Sequence, residues 1–188
     1  MTRQNILEAA QQLFAAHGYH GASIRDIVHA CGVSNAAVYY HFKSKQNLYF
    51  EVLNQYVVAA VERLQQADPG KGSYRRRLDS VALAYARLIL ESQNVLQTLM
   101  RDVGEFDQAD MARKLSDWSS QVPDTIGAIL EEGITAGELR PVPVRRTAML
   151  VLGMASSIAG PRLYTQTENT LEEDIDLAMD VLFEGIAV

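Results

Sequence analysis

The sequence has 188 residues, of which 48% are hydrophobic and 21% are charged, so it can bury a substantial core and is not a disordered tail. Its 17 lysines and arginines face 23 aspartates and glutamates, and the net charge of −6 excludes a uniformly basic coat for nucleic acid. The single cysteine, Cys31, excludes an intrachain disulfide and a structural zinc site built on paired thiolates.

No stretch of the sequence has the features of a membrane span or a secretion signal. The longest apolar run of the C-terminal half, residues 148–155 (AMLVLGMA), is far shorter than the roughly 20 residues that cross a bilayer. Glutamate and glutamine interrupt the apolar residues of the N-terminal segment MTRQNILEAAQQLF, which lacks the continuous apolar region of a signal peptide. We therefore expect a cytoplasmic protein with no membrane partner.

The charge is divided unevenly along the chain. Residues 1–48 carry four basic and two acidic side chains, a net charge of +2, and contain all four histidines. The remaining residues carry 13 basic and 21 acidic side chains, a net charge of −8. A mildly cationic N-terminal module on an acidic body suits binding of a polyanion through residues 1–48, although chance segregation gives the same pattern.

Hydrophobic residues recur at helical spacing nearly throughout, so the sequence predicts an all-α protein. The first helix is expected to be capped by Thr2 and to end at Gly18 in a left-handed conformation. Ser23 and Asp26 have the spacing of a capping box at the start of a short second helix, which Gly32 closes.

A third short helix is expected to follow, with Ser34 as its cap and Phe42 near its end. After it the sequence predicts a long helix over residues 45–67 and then a linker at residues 68–73, where two glycines surround a turn led by proline. Further helices follow, among them one that Pro123 should break or kink. The last two are an almost wholly apolar helix from Val144 and an amphipathic helix from Leu171.

Two short helices joined by a glycine turn have the spacing of a helix-turn-helix DNA-binding motif, although the same spacing occurs in many helical bundles. The residue types on the second of these helices favour DNA. Small alanines allow the backbone to approach base edges, while amide, hydroxyl and imidazole groups supply donors and flat contact surface. The residues concerned are Asn35, Ala36, Ala37, Tyr39, Tyr40 and His41, flanked by Ser34, Lys43 and Lys45.

Residues 6–53 resemble the DNA-binding domain of the TetR (tetracycline-repressor-like) family of bacterial transcriptional regulators. The resemblance is carried by GVSNAAVYYHFKSKQNLY and by the preceding LFAAHGYHGASIRDIV. It implies a homodimer in which helix 35–41 lies in the major groove of DNA. It also implies an N-terminal three-helix DNA-binding domain, residues 1–48, and a C-terminal helical domain, residues 49–188, that binds an effector and forms the dimer.

The resemblance also assigns contacts by position. Base-edge contacts would come from Arg25, Asn35, Ala36 and Tyr39. Phosphate contacts would come from Ser23, Ala37, Tyr40, His41 and Lys45. Ala37 departs from the hydroxyl residue that often occupies its position, so a phosphate bond from a side chain is lost there.

Two further sets of residues are expected in the C-terminal domain. Aromatic and methionine side chains could line an effector cavity, although each alone is also a normal core residue: Tyr56, Tyr85, Met100, Phe106, Trp118 and Met149. Small and apolar residues on the last two helices could form the dimer contact, although the glycines also suit internal packing: Gly153, Ser156, Ser157, Gly160, Met179, Leu182 and Phe183.

Other chemistries have little support. His17, His20 and His29 lie close in sequence, but no carboxylate or thiol at ligand spacing completes a tetrahedral set, so we expect no metal. The sequence has no phosphate-binding glycine loop, nucleophile elbow or HExxH pair, so we expect no enzyme and no cofactor. The run Arg75–Arg77 could bind an anionic ligand, but a solvated helix face explains it more simply.

These observations predict a ligand-responsive regulator, a repressor by expectation, that binds a palindromic double-stranded operator as a homodimer and is released by a small-molecule effector of unknown identity. The alternative is an effector-independent DNA-binding regulator or activator whose C-terminal domain docks a protein partner. Such a partner would need an exposed apolar patch on the body.

Overall fold

The computed structural model describes residues 3–92 and 108–186, with side chains over 3–92 and 120–184. These ranges contain eight helices and confirm the all-α prediction. The helices are α1 (Arg3–Gly21), α2 (Ile24–Cys31), α3 (Asn35–His41), α4 (Lys45–Ala67), α5 (Tyr74–Glu91), α6 (Gln108–Thr135), α7 (Val144–Arg162) and α8 (Leu171–Ile186). None of the helices in these ranges is long and apolar enough to cross a membrane.

The local signals around α2 and α3 are confirmed. Ser23 and Asp26 form the expected capping box, and Gly32 ends α2 in the left-handed region with φ 65° and ψ 32°. Ser34 caps α3 by accepting a hydrogen bond from the N–H of Ala37 at 3.1 Å. Thr2, the expected cap of α1, lies outside the described residues.

Gly18 interrupts α1 rather than ending it. Its φ of 71° and ψ of −179° are non-helical, and the residues that follow form a last turn up to Gly21. A residue with a Cβ rarely adopts a positive φ, so glycine is required at this kink. The kink turns the end of α1 before the chain enters α2.

The described residues form two compact units. The first contains those of Met1–Val58 and Asn94–Arg113, and the second contains those of Ala59–Gln93 and Lys114–Val188. The division falls inside α4, as does the domain boundary expected at residue 48. The N-terminal part of α4 is buried in the first unit through Leu48, Tyr49 and Val52, whereas Leu64 belongs to the core of the second.

The core of the second unit comes from α4 to α8. Leu78, Val81 and Ala82 of α5 pack with buried residues of α6, α7 and α8. Pro123 does not break α6, which runs from Gln108 to Thr135 with the proline inside it, so the expected break is absent and the alternative, a kink, stays a prediction. A helical proline removes a single N–H donor, and the buried residues that follow, including Ile126, hold the helix in the core.

The arginine run at the start of α5 is a solvated face only at Arg76, because Arg75 and Arg77 form ion pairs. Arg77 is buried and donates hydrogen bonds to Asp68 and to Glu132, the latter at 2.6 Å. Arg75 pairs with Asp79 of α5 and with Asp176 and Asp180 of α8. Two of the three arginines are therefore committed to carboxylates within the second unit.

Candidate nucleic-acid interface

Helices α2 and α3 present a polar surface because their apolar residues are buried in the first unit. Ile27 of α2 and Val38 of α3 are completely buried, as is Phe42 directly after α3. These three residues fix the rotation of both helices about their axes. The opposite side of α3 is consequently directed to solvent.

The exposed side of α3 contains the two tyrosines that the sequence singled out. Tyr39 is 52% exposed and Tyr40 is 85% exposed. The ring of Tyr40 meets that of His41 edge to face, with centroids 5.0 Å apart. Side chains at such exposure leave their ring faces and hydroxyl groups open to solvent, where a partner can reach them.

The other predicted contact residues also lie on or next to α2 and α3. The exposed ones are Ser23, Arg25, Ser34, Asn35, Ala36 and Lys43, and the half-buried ones are Ala37, His41 and Lys45. The structure thus brings the predicted set onto one short stretch of the first unit, residues 23–45. Its outward groups match those that bind phosphates and base edges.

Ser23 has a competing role in the capping box. Its hydroxyl donates to Oδ2 of Asp26 at 2.6 Å and accepts from the N–H of Asp26 at 3.2 Å. The hydrogen bonds from Ser23 hold the pKa of Asp26 below its ordinary value. The hydroxyl of Ser23 has a single proton, so it can donate to a phosphate only if it no longer donates to Asp26.

Lys45, at the start of α4, lies against an aromatic ring that the sequence analysis did not single out. Its Nζ is 4.3 Å from the centroid of the Tyr19 ring. Tyr19 follows the kink at Gly18 and is half-buried between Phe14 and Tyr49. The signal in the sequence is an aromatic residue directly after Gly18, the glycine at which α1 is kinked.

Arg3 is a second residue that sequence reasoning missed. Its guanidinium carbon lies 5.0 Å from the centroid of the Phe42 ring, and the same side chain forms an ion pair with Glu51 of α4. Arg3 thus connects the start of α1 to the residue after α3 and to α4. Contacts between residues so far apart in sequence have no local signature.

A shallow groove of the first unit is lined by His17, Asp26 and His29. Its volume is about 440 Å³. Within the described ranges, no group of three or more histidine, cysteine, aspartate or glutamate side chains is arranged to hold a metal ion. Cys31 is half-buried and its thiol donates to the carbonyl oxygen of Ile27 at 2.7 Å.

The expected effector residues are only partly described. Tyr56 and Tyr85 are half-buried, and Tyr85 packs against the core of the second unit. Met149 is exposed on α7. Met100, Phe106 and the side chain of Trp118 lie outside the described residues.

The expected dimer residues divide into two groups. Gly153 and Ser157 are exposed on α7, while Ser156, Gly160 and Leu182 are half-buried. Met179 is only 1% exposed and Phe183 is also buried, because both side chains fill the core of their own chain. These two cannot supply an outward surface, which corrects their assignment to the dimer contact.

Other apolar residues of the last two helices are exposed instead. Leu150 is 60% exposed on α7, and Leu177 and Val181 of α8 are 62% and 65% exposed. Leu177 and Val181 are separated by one helical turn and so lie on the same side of α8. With Leu150, Gly153 and Ser157 they make up what we call the α7–α8 surface.

Two family models match the chain. Residues 6–52 match the model for bacterial regulatory proteins of the tetR family, and residues 71–160 match a tetracyclin repressor-like C-terminal domain. The chain is 22% identical to the fatty acid metabolism regulator protein of Bacillus subtilis over 182 residues, which are 96% of this chain and 93% of that protein.

Solved structures share the fold over its whole length. A TetR-family transcriptional regulator from Mesorhizobium loti superimposes with a TM-score of 0.84 at 17% identity, covering 100% of both chains. The regulator FadR from Bacillus subtilis, in complex with stearoyl-CoA, superimposes with a TM-score of 0.75 at 19% identity, covering 98% of this chain and 99% of that one.

Proposed function

Because the chain belongs to the TetR family of bacterial regulatory proteins, we propose that it is a cytoplasmic, ligand-responsive transcriptional repressor. It binds a palindromic operator as a homodimer, and a small-molecule effector releases it. Neither catalysis nor a cofactor takes part in this function.

The observation that carries the proposal is the outward placement of α3. Tyr39 and Tyr40 are exposed on a capped helix whose Val38 is completely buried. A helix held in this way can enter the major groove of DNA without rearranging its own core. Asn35, Ala36 and Tyr39 would then contact base edges, together with Arg25 of α2.

Phosphate contacts would fix the register of this helix on the duplex. They are assigned to Ser23, Ala37, Tyr40, His41 and Lys45, with Ser34 and Lys43 at the edge of the site. Ala37 has no donor in its side chain and its N–H donates to Oγ of Ser34, so it would contribute only close packing against the backbone of DNA. In the dimer the two copies of α3 would lie one turn of DNA apart, roughly 34 to 36 Å, which is why the operator should be palindromic.

Selection of bound fragments from a random-sequence DNA pool tests the DNA-binding part of the proposal. We expect enrichment of a palindromic sequence. Tyr39→Ala should weaken binding to the enriched duplex by about 1–3 kcal/mol and relax the preference at one position of each half-site. Lys43→Met is the control, because loss of a phosphate contact weakens binding to all sequences alike. Unchanged affinity of Tyr39→Ala in a gel-shift titration would refute the base-contact assignment.

The effector domain is assigned to residues 49–188, and Tyr56, Tyr85, Met100, Phe106, Trp118 and Met149 are its proposed ligand-contacting residues. The whole-length likeness to a fatty acid metabolism regulator and to FadR bound to stearoyl-CoA makes a long-chain acyl thioester the first effector to test. A mostly apolar pocket suits such a chain.

Helix α4 would connect the effector to DNA, because it begins at Lys45 in the first unit and reaches Leu64 in the core of the second. A tenfold release of operator requires about 1.4 kcal/mol of coupling between the two ligands.

Trp118 is the only tryptophan of the sequence and therefore reports on the effector domain alone. Stearoyl-CoA should quench its fluorescence saturably and release the enriched duplex over the same concentration range, whereas coenzyme A alone should do neither. If stearoyl-CoA and a broad compound library leave both signals unchanged, the effector-independent regulator or activator with a protein partner becomes the better account.

A further inference from the structure

A lysine, a tyrosine and two buried aromatic residues form a connected group in the first unit. The ammonium nitrogen of Lys45 lies 4.3 Å from the centroid of the Tyr19 ring. A cation over the face of an aromatic ring is attracted by the negative charge of that face. Lys45 is half-buried, so this attraction acts on a partly desolvated ammonium group.

The ring of Tyr19 is held from the core side. Its centroid lies 6.4 Å from that of Phe14, with the rings inclined by 27°, and 5.2 Å from that of Tyr49, with the rings inclined by 67°. Phe14 and Tyr49 are buried. The ring therefore has a fixed support, and its position depends on the kink at Gly18 that directly precedes it.

A tyrosine hydroxyl is uncharged at neutral pH, and burial, which raises the pKa of Tyr19, keeps it so. The attraction between the ring and Lys45 is consequently that of a cation for a neutral aromatic face, and Tyr19→Phe should preserve it.

We propose that Tyr19 is a positioning residue for DNA binding, whose ring orders the side chain of Lys45 for its contact with a phosphate of the operator. This inference rests on the proposed function, because the phosphate contact of Lys45 is part of it. A free lysine side chain loses rotamer freedom when it binds, and a side chain that is already ordered loses less. The ammonium group has three donors, so contact with a ring does not exclude a bond to a phosphate oxygen.

The test compares Tyr19→Leu, Tyr19→Phe and Lys45→Met with the wild type, and combines Tyr19→Leu with Lys45→Met. The probe is a fluorescein-labelled duplex of the sequence that the wild type enriches from random DNA, titrated by anisotropy from about 50 to 200 mM KCl. Lys45→Met should reduce the slope of log affinity against log salt concentration by about 1 for each bound protomer.

Tyr19→Leu should weaken binding about 2- to 5-fold when Lys45 is present and should have no further effect when methionine replaces it. Tyr19→Phe should bind like the wild type. Ring currents should also shift the ε-methylene protons of Lys45 upfield in the wild type and in Tyr19→Phe, but not in Tyr19→Leu.

The possible outcomes separate the two hypotheses. If Lys45→Met binds like the wild type, both the phosphate contact and the positioning role of Tyr19 are wrong. If Lys45→Met loses affinity but Tyr19→Leu does not, only the positioning role is wrong. If Tyr19→Leu lowers the affinity equally with and without Lys45→Met, Tyr19 acts through folding and not through Lys45. This result also overturns the positioning role. Should Tyr19→Leu unfold, Tyr19→Met replaces it, since methionine fills irregular apolar gaps.

Discussion

The guanidinium of Arg77 donates to both carboxylate oxygens of Asp68, from Nε to Oδ1 at 2.9 Å and from Nη2 to Oδ2 at 2.7 Å. Asp68 directly follows α4, and Arg77 lies in the first turns of α5. The pair therefore closes the linker between these helices. The N–H of Gly70 also donates to Oδ1 of Asp68, at 3.0 Å, which shapes the turn that follows.

Replacing Arg77 should destabilise the chain strongly. Arg77→Met keeps the length of the side chain but leaves the largely buried carboxylate of Asp68 without its charged partner, and we expect the free energy of unfolding to fall by about 3 kcal/mol. Arg76→Met, one residue away and exposed, should change it by no more than about 0.5 kcal/mol. Urea unfolding followed by circular dichroism at one protein concentration measures both. Equal effects would show that the Arg77 pair contributes no more than surface charge.

The sequence predicts α2 and α3 well because their signals are local. The capping box of Ser23 and Asp26 and the left-handed Gly32 depend on residues at most a few positions apart. The outward exposure of Tyr39 follows from the burial of Val38 beside it.

The dimer residues are predicted less well, because an amphipathic stripe does not say which of its apolar residues pack within the chain. On α8, Met179 turned out to be core and Leu177 to be exposed. The sequence also could not predict that Arg75 and Arg77 pair with carboxylates of α6, α8 and the 68–73 linker, since this pairing depends on how distant helices pack.

The stability of the second unit should depend on pH through Asp79 and Asp68, because the pKa is raised in the first and lowered in the second. Burial raises the pKa of Asp79, although Arg75 opposes this, and Asp176 and Asp180 nearby act in the same direction as burial. In the described part of the chain, the buried Oδ1 of Asp79 has no hydrogen-bond partner. A carboxyl group with a raised pKa binds protons more tightly when folded, so its contribution to stability falls as the pH rises through that pKa.

Asp79→Asn should therefore make the chain more stable at pH 7, and the gain should shrink as the pH is lowered through the raised pKa of Asp79. Arg75 keeps Asp176 and Asp180 as partners in this variant. Asp68→Asn is the control, because it should make the chain less stable at pH 7. Hydrogen bonds from Arg77 lower the pKa of Asp68, so the stability that it contributes is present at pH 7 and is lost as the pH falls through that lowered value. Thermal unfolding between about pH 3 and 7 tests both; an Asp79→Asn variant less stable than the wild type at pH 7 contradicts the first prediction.

Gly133 of α6 should not tolerate alanine. A Cβ at this position would lie 2.6 Å from Cδ1 of Leu139 and 3.0 Å from Cγ of Tyr74. Leu139 is buried and cannot move aside freely. Alanine normally favours a helix over glycine by about 1 kcal/mol, but here we expect Gly133→Ala to lower the free energy of unfolding by about 1–3 kcal/mol.

Leu139→Ala supplies the control for Gly133→Ala, because it removes the atoms closest to the added Cβ. In a double-mutant cycle measured by urea unfolding, Gly133→Ala should cost less in the Leu139→Ala background than in the wild type. Additive effects of the two substitutions would mean that the predicted steric conflict does not determine the cost.

The α7–α8 surface should form the contact between two copies of the chain. Leu177 and Val181 are more than half exposed, and a second copy that covered them would bury apolar area on both sides of a two-fold axis. Gly153 of α7, where an added Cβ would meet no described atom within 4 Å, would allow the partner helix to approach closely.

Val181→Lys should shift the protein from dimer to monomer, because the lysine would place a charge in the contact from each copy. Val58→Lys is the matched control, since it makes the same substitution at another exposed valine, 40% exposed on α4 and outside the α7–α8 surface. Analytical ultracentrifugation should give the wild-type dimer for Val58→Lys and a monomer with unchanged helical content for Val181→Lys. A dimer that survives Val181→Lys and a Leu177→Lys, Val181→Lys double variant would place the contact elsewhere on the chain.

Because two linked copies of α3 bind a palindrome far more tightly than one, the monomer should also lose operator affinity while keeping its α2–α3 structure.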